Sequence, residues 1–177
     1  MSAVQHVVLL GLMGSGKTSI GRRVAKRLGR PLLDGDEALQ HRTGGRTAAD
    51  VTNAEGTDAL HALEIEVALE LLTSPEPAVI GPAASVVESA AVRAALADHV
   101  VVWLRATAEH HAGKAAEKAH RPLPADVDLV DHFREQLAVR GPLLLTVADL
   151  VVDVGDGDKD RHAETIADFA AEAYRSR

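Results

Sequence analysis

Gly11-Leu-Met-Gly-Ser-Gly-Lys-Thr18 sets a lysine and a hydroxyl residue at the end of a glycine-rich turn, directly behind the apolar run Val7-Val8-Leu9-Leu10. Glycines in such a turn let backbone N–H groups face inward around a polyphosphate. The lysine then reaches the β- and γ-phosphates, and the hydroxyl ligates Mg²⁺. A helix starting at the turn aims its N-terminal N–H groups at the same anion. Gly14, Ser15, Gly16, Lys17, Thr18 and Ser19 are therefore the candidate nucleotide-binding residues. A second apolar run, Pro31–Leu33, leads straight into Asp34-Gly35-Asp36. Two carboxylates beside a triphosphate suit two tasks: one holds Mg²⁺, directly or through water, and the other orients and deprotonates an attacking hydroxyl. The competing structural reading is a strand-end turn with a helix N-cap, since Asp36 precedes Glu37-Ala38-Leu39.

Two arginines extend the pattern. Arg121 lies in the polar stretch Lys114 to Asp128, where a closing loop would exclude water and neutralise the transferring group. A solvated loop with an idle arginine is the alternative. Arg140 stands before Gly141-Pro142, a pair expected to end its helix there. An arginine fixed at such a break suits a bidentate grip on an anion, and an ordinary helix-end arginine would look the same.

The elements that must position these groups follow from periodicity. Five short apolar runs read as buried strands: Val7–Leu10, Pro31–Leu33, Ala78–Ile80, Val100–Leu104 and Leu150–Val154. Between them run segments of helical period, such as Ile20, Val24 and Leu28, closed by Gly29 and Pro31. Leu60, Leu63, Val67 and Leu71 form a second stripe, and Ile166, Phe169, Ala170 and Ala173 a third. Fully apolar strands alternating with helices predict an α/β fold, with a parallel sheet covered on both faces. Ligands in such sheets gather at the carboxyl ends of the strands, where the glycine-rich turn and Asp34 fall.

Bulk properties narrow the class. A chain of 177 residues fits a single domain, residues 1–177, with a substantial core. Its net charge of −7 and 2% aromatic content argue against a nucleic-acid partner or an anionic membrane surface. No apolar stretch is long enough to span a membrane, and the first strand starts too early to leave room for a leader. The absence of cysteine excludes disulfides and thiolate metal sites, and favours a cytoplasmic setting. His110, His111 and His120 lack partner carboxylates or thiolates at ligand spacing, so no metal site is expected from them. Glu64 and Glu66, at i and i+2, do not form an acid–base pair on one helix face. Trp103 reads as core.

Taken together, these residues resemble shikimate kinase, a family of small P-loop kinases acting on a carboxylated cyclitol. The densest likeness is GLMGSGKTSIGRRVAKRLGRPLLDGD; Thr43-Gly44, VRAAL at Val92–Leu96, VVWL at Val101–Leu104, RPL at Arg121–Leu123 and RGPL at Arg140–Leu143 extend it. The resemblance implies a three-layer P-loop kinase fold, with a five-stranded parallel sheet of order 2-3-1-4-5. It also implies a helical acceptor-binding region at 36–72 and a lid at 112–128. ATP is the implied co-substrate and Mg²⁺ the cofactor, held at Thr18 and Asp34. Lys17, Asp36 and Arg121 carry the implied catalytic roles: phosphate neutralisation, activation of the acceptor hydroxyl, and closure over the phosphates. Lys114 occupies the place of a residue flanking adenine, and Arg140 that of an arginine gripping the acceptor carboxylate. The partners are then ATP and a small acceptor, and a monomer is expected.

Departures fall on the acceptor side. The family's G-E-x-x-F-R-x-x-E stretch is represented by Gly56 to Glu64, with His61 at the place of the second carboxylate-binding arginine and Leu60 at that of the phenylalanine. The family's G-G-G turn is Gly81-Pro82-Ala83. Proline removes an N–H donor, Ala83 adds a Cβ, and histidine lacks the permanent charge and rigid fork of arginine. The candidate acceptor residues are accordingly Asp36, His61, Gly81 and Arg140, with a changed acceptor or weaker use of shikimate expected. A gluconate kinase-like sugar kinase is a neighbouring alternative, although the His-Pro usual after its D-G-D triplet is missing. A non-catalytic nucleotide-binding regulator is a third reading; it would have no need of Asp36.

Overall fold

The structure is a computed structural model that describes residues 5–117, 123 and 126–176. Its strands are β1 (Val7–Leu10), β2 (Leu32–Asp34), β3 (Val79–Gly81), β4 (Val100–Arg105) and β5 (Leu150–Asp153). They form one parallel sheet in the order β2-β3-β1-β4-β5, with Val8 opposite both Ile80 and Val101. Every strand predicted from an apolar run is present, its limits moved by a residue or two.

Side chains alternate across the pleat, and each face meets its own helices. Val7, Leu9, Val102 and Leu104 pack against α1 (Lys17–Leu28) and α8 (Lys159–Arg175) through Ile20, Val24, Ala163 and Ile166. Val8, Leu10, Ile80, Val101 and Trp103 face α4 (Thr57–Leu72), α5 (Ala90–Leu96) and α7 (Leu129–Val147). A strand buried on both sides must be apolar at every position, which explains the continuous runs. Two smaller cores hold the site region. Leu39, Val51, Leu60 and Val67 join α4 to α2 (Gly35–Arg42) and α3 (Ala48–Glu55). Leu12, Ala112, Ala115 and Phe133 join the loop after β1 to α7 and α6 (Ala108–Ala116). No described helix is long and apolar enough to cross a membrane.

One expected boundary is overturned. Helix α7 does not end at Arg140 but runs through Gly141-Pro142 to Val147. Proline there removes one intrahelical hydrogen bond, a cost of about 3 kcal/mol in an ordinary helix interior. Tertiary packing offsets it: Leu144 is buried beside Trp103, with Leu143 and Val147 at the edge of the same cluster.

Candidate active site

The loop after β1 closes with the Ser15 N–H donating to the Leu12 carbonyl at 3.1 Å, and α1 begins at Lys17. Gly14 sits at φ 82°, and a Cβ there would lie 2.6 Å from Lys114 Cβ, so helix α6 presses directly on the loop. From that helix His111, 1% exposed, donates its Nδ1–H to the Met13 carbonyl at 2.9 Å. Burial lowers the His111 pKa to about 4, and the charges of His110 and Lys17 act the same way, against the pull of the Met13 carbonyl. The ring is therefore neutral near pH 7 and serves as a fixed donor under the loop.

Lys17 lays its ammonium over the loop, donating to the carbonyls of Gly11 at 2.7 Å and Leu12 at 3.2 Å. Thr18 donates its hydroxyl to Asp34 Oδ2 at 2.7 Å, while Asp34 Oδ1 accepts the N–H groups of Asp36 at 2.9 Å and Glu37 at 3.4 Å. The helix cap is thus Asp34 rather than Asp36, and the same carboxylate also faces Thr18. Gly35 permits this turn, because a Cβ would meet the backbone of Pro82 and Ala83 at 3.1–3.2 Å. Gly16, Lys17, Thr18, Ser19, Asp34, Asp36, Gly81 and Pro82 line one cavity of about 350 Å³. Arg22 and Lys159 also reach it, two cations that strand-end reasoning did not single out.

A second cavity, of about 520 Å³, opens beside the first, with Met13 lining both. Its walls include Leu60, His61 and Glu64 of α4, Ser85 of the 3-10 turn Ala84–Glu88, and His132, Gln136 and Arg140 of α7. Glu64 is buried and accepts the Ser85 hydroxyl at 2.5 Å, whereas Glu66 is exposed and paired with Arg42. Arg140, nearly buried, donates from Nε to Glu88 Oε1 at 2.5 Å and from Nη1 to Gln136 Oε1 at 2.9 Å. Gln136 Nε2 in turn donates to His132 Nε2 at 2.8 Å, so that imidazole nitrogen is the acceptor.

The expected residues therefore divide. His61 and Arg140 line the larger cavity, while Asp36 and Gly81 line the phosphate-side one. Pro82 also falls on the phosphate side, and Ala83 packs into the core with Val86 and Val92. Lys114 lies against Gly14 and pairs with Glu117 at 3.3 Å. Arg121 lies outside the described residues. Among those described, no group of three metal-ligating side chains forms, and His111 is committed to Met13. Glu64, Ser85, Glu88, His132 and Gln136 were not anticipated. The spacing of His132, Gln136 and Arg140 by four places them on one helix face, a signal open to sequence reading even with the helix ended at Arg140.

A parallel 2-3-1-4-5 sheet with a lysine- and threonine-bearing phosphate loop and an aspartate at the next strand's end defines a small-molecule P-loop kinase. The sequence profile described as shikimate kinase matches residues 13–171. The chain is similar to the shikimate kinase of Mycobacterium tuberculosis, 40% identical over 82% of each chain. It is also similar in structure to the shikimate kinase of Acinetobacter baumannii solved in complex with shikimate (TM-score 0.88, 26% identity, covering 97% of this chain and 96% of that one). A gluconokinase from Sinorhizobium meliloti shares the fold (TM-score 0.61, 20% identity, covering 99% of each chain). The chain belongs to the shikimate kinase family and is an ATP-dependent kinase.

Proposed function

We propose that this enzyme transfers the γ-phosphoryl group of ATP to a ring hydroxyl of a small cyclitol, with shikimate as the reference acceptor. The observation that carries the reading is the adjacency of two cavities: one holds Lys17, Thr18, Asp34 and Asp36, the other His61 and Arg140, and Met13 borders both. The acceptor oxygen attacks Pγ, the bond from Pγ to the β,γ-bridging oxygen breaks, and ADP leaves. The hydroxyl proton passes to Asp36, whose backbone is fixed by the Asp34 cap.

Thr18 and Asp34 offer hard oxygen donors side by side, a set that fits Mg²⁺. When bound there, the cation would supply positive charge to offset that of the phosphates. Gly14, Ser15, Gly16 and Ser19 shape the loop around the phosphates, with Lys17 neutralising them. Lys114 is assigned to the adenine side and Arg121 to closure over the phosphates, within a lid at 112–128; the acceptor is assigned to the helical region 36–72. A monomeric enzyme working in the cytoplasm completes the reading, supported by the absence of cysteine and the net charge of −7.

Asp36→Asn tests it. The expected result is a loss in kcat of about 10²- to 10⁴-fold, with ATP binding by calorimetry unchanged. Transfer at the wild-type rate would remove Asp36 from the role of base.

A further inference from the structure

Arg140 already holds a carboxylate, and the carboxylate belongs to the protein. Glu88 Oε1 takes the Nε–H at 2.5 Å, while Gln136 takes an N–H of Nη1 at 2.9 Å. A ligand carboxylate is gripped bidentately by two neighbouring guanidinium nitrogens, either Nε with Nη2 or Nη1 with Nη2. Each of those pairs includes one nitrogen that is already engaged. The anionic competitor is Glu88, because Gln136 is neutral.

Glu88 is also placed to yield. Its backbone is pinned, since the Val87 and Glu88 carbonyls accept from Arg93 Nη1 at 2.7 and 2.9 Å. Its side chain is 44% exposed against 11% for Arg140, so the carboxylate can rotate into solvent while an incoming carboxylate takes over the buried guanidinium. Arg140 cannot withdraw in the same way, being held in the interior of α7.

We propose that Glu88 is a specificity-determining residue, holding Arg140 Nε so that an acceptor carboxylate takes the Nε–Nη2 edge only by displacing it, while the Nη1–Nη2 edge is contested by Gln136. The inference rests on the kinase reading above and adds a consequence: the pocket gives a carboxylated ring little advantage over its uncharged counterpart.

The test uses the full-length protein with ATP and Mg²⁺, and compares shikimate with its carboxamide. For the wild type, kcat/KM for the two should agree within about threefold, where an unengaged charge-assisted contact would separate them by about tenfold or more. Glu88→Gln should raise the shikimate-to-carboxamide ratio by about tenfold, through the KM for shikimate rather than through kcat. A wild type that already prefers shikimate by about tenfold or more, or a Glu88→Gln protein with unchanged KM for shikimate, overturns the proposal. Should Glu88→Gln fail to fold, a crystal structure of the wild type with shikimate decides. Glu88 turned away from Arg140 supports displacement; a retained Glu88–Arg140 pair overturns it. If neither compound is phosphorylated by protein that binds ATP, the kinase reading itself falls and takes this inference with it. Phosphorylation of both compounds with an unmoved ratio defeats the inference alone.

Discussion

The phosphate-side and acceptor-side cavities are neighbours built on opposite principles. The first is made chiefly from one continuous segment, Met13 to Ser19, with Asp34 and Asp36 arriving at the next strand's end and Gly81, Pro82 and Lys159 added at its rim. Its contacts are mostly backbone to side chain and short in sequence: Lys17 to Gly11, Ser15 to Leu12, Asp36 to Asp34. The second is assembled from four helical elements, α3, α4, the 3-10 turn and α7, and its side-chain pairs span 21 residues (Glu64 with Ser85) and 52 (Glu88 with Arg140). A local design tolerates little change, because the phosphate it cradles is the same in every reaction of the class. An assembled pocket changes its preference with one side chain on any of its walls.

The sharpest way to break this comparison is Lys17→Ala. With Lys17 in its proposed role on the phosphates, its removal should cost about 10²- to 10³-fold in kcat/KM for ATP, whichever acceptor is supplied. A loss confined to one acceptor would dissolve the division between the two halves.

His111 probes the same half through stability. Its pKa of about 4 in the folded protein lies below the ordinary 6.5, so the unfolded chain takes up a proton that the folded one refuses. Its contribution is complete above pH 6.5 and is lost as the pH falls toward 4. Denaturant unfolding at about pH 5 should therefore show roughly 2 kcal/mol of this loss relative to neutrality, and His111→Gln should remove it. Burial lowers the pKa values of His6, His99 and His162 as well, so a residual slope of the same sign remains.

On the acceptor side, His61→Arg adds a permanent cation to the cavity wall. Steady-state assays should show kcat/KM for shikimate rising by about tenfold, with KM for ATP unmoved. Smallest of all is the effect of Pro82→Gly with Ala83→Gly. Neither residue lines the larger cavity, so the change in shikimate KM should stay below about threefold. A larger shift would mean that the turn after β3 reads the acceptor after all.

Legibility in the sequence follows the same divide. The sheet, its order and the phosphate loop could be read because each rests on a short apolar run or a compact motif such as Gly11 to Thr18. Asp34 was visible as chemistry, but its second task as the cap of α2 was not, since the choice between Asp34 and Asp36 depends on where β2 ends. Glu88 and Arg140 meet only because α7 passes beside the 3-10 turn, and no spacing along the chain announces that contact. The helix end assumed at Gly141-Pro142 was misplaced. It follows from a sound rule about proline, defeated here by the burial of Leu144 and the packing of Leu143 and Val147 one turn later. His111 was legible only as one of two adjacent histidines, because the carbonyl it serves lies 98 residues away.

Met13 lies where the two halves meet. Its carbonyl is tied to His111, and the residue borders both cavities. A thioether has no preferred direction of contact and three torsions with which to adjust, so this partition has room to repack. Thermodynamic reciprocity then fixes what such a partition does. To whatever degree a bound acceptor resets Met13 and thereby changes the affinity for ATP, ATP must change the affinity for the acceptor by the same factor. The strength of the coupling between the two substrates' affinities is thus open to tuning by a single unbranched side chain.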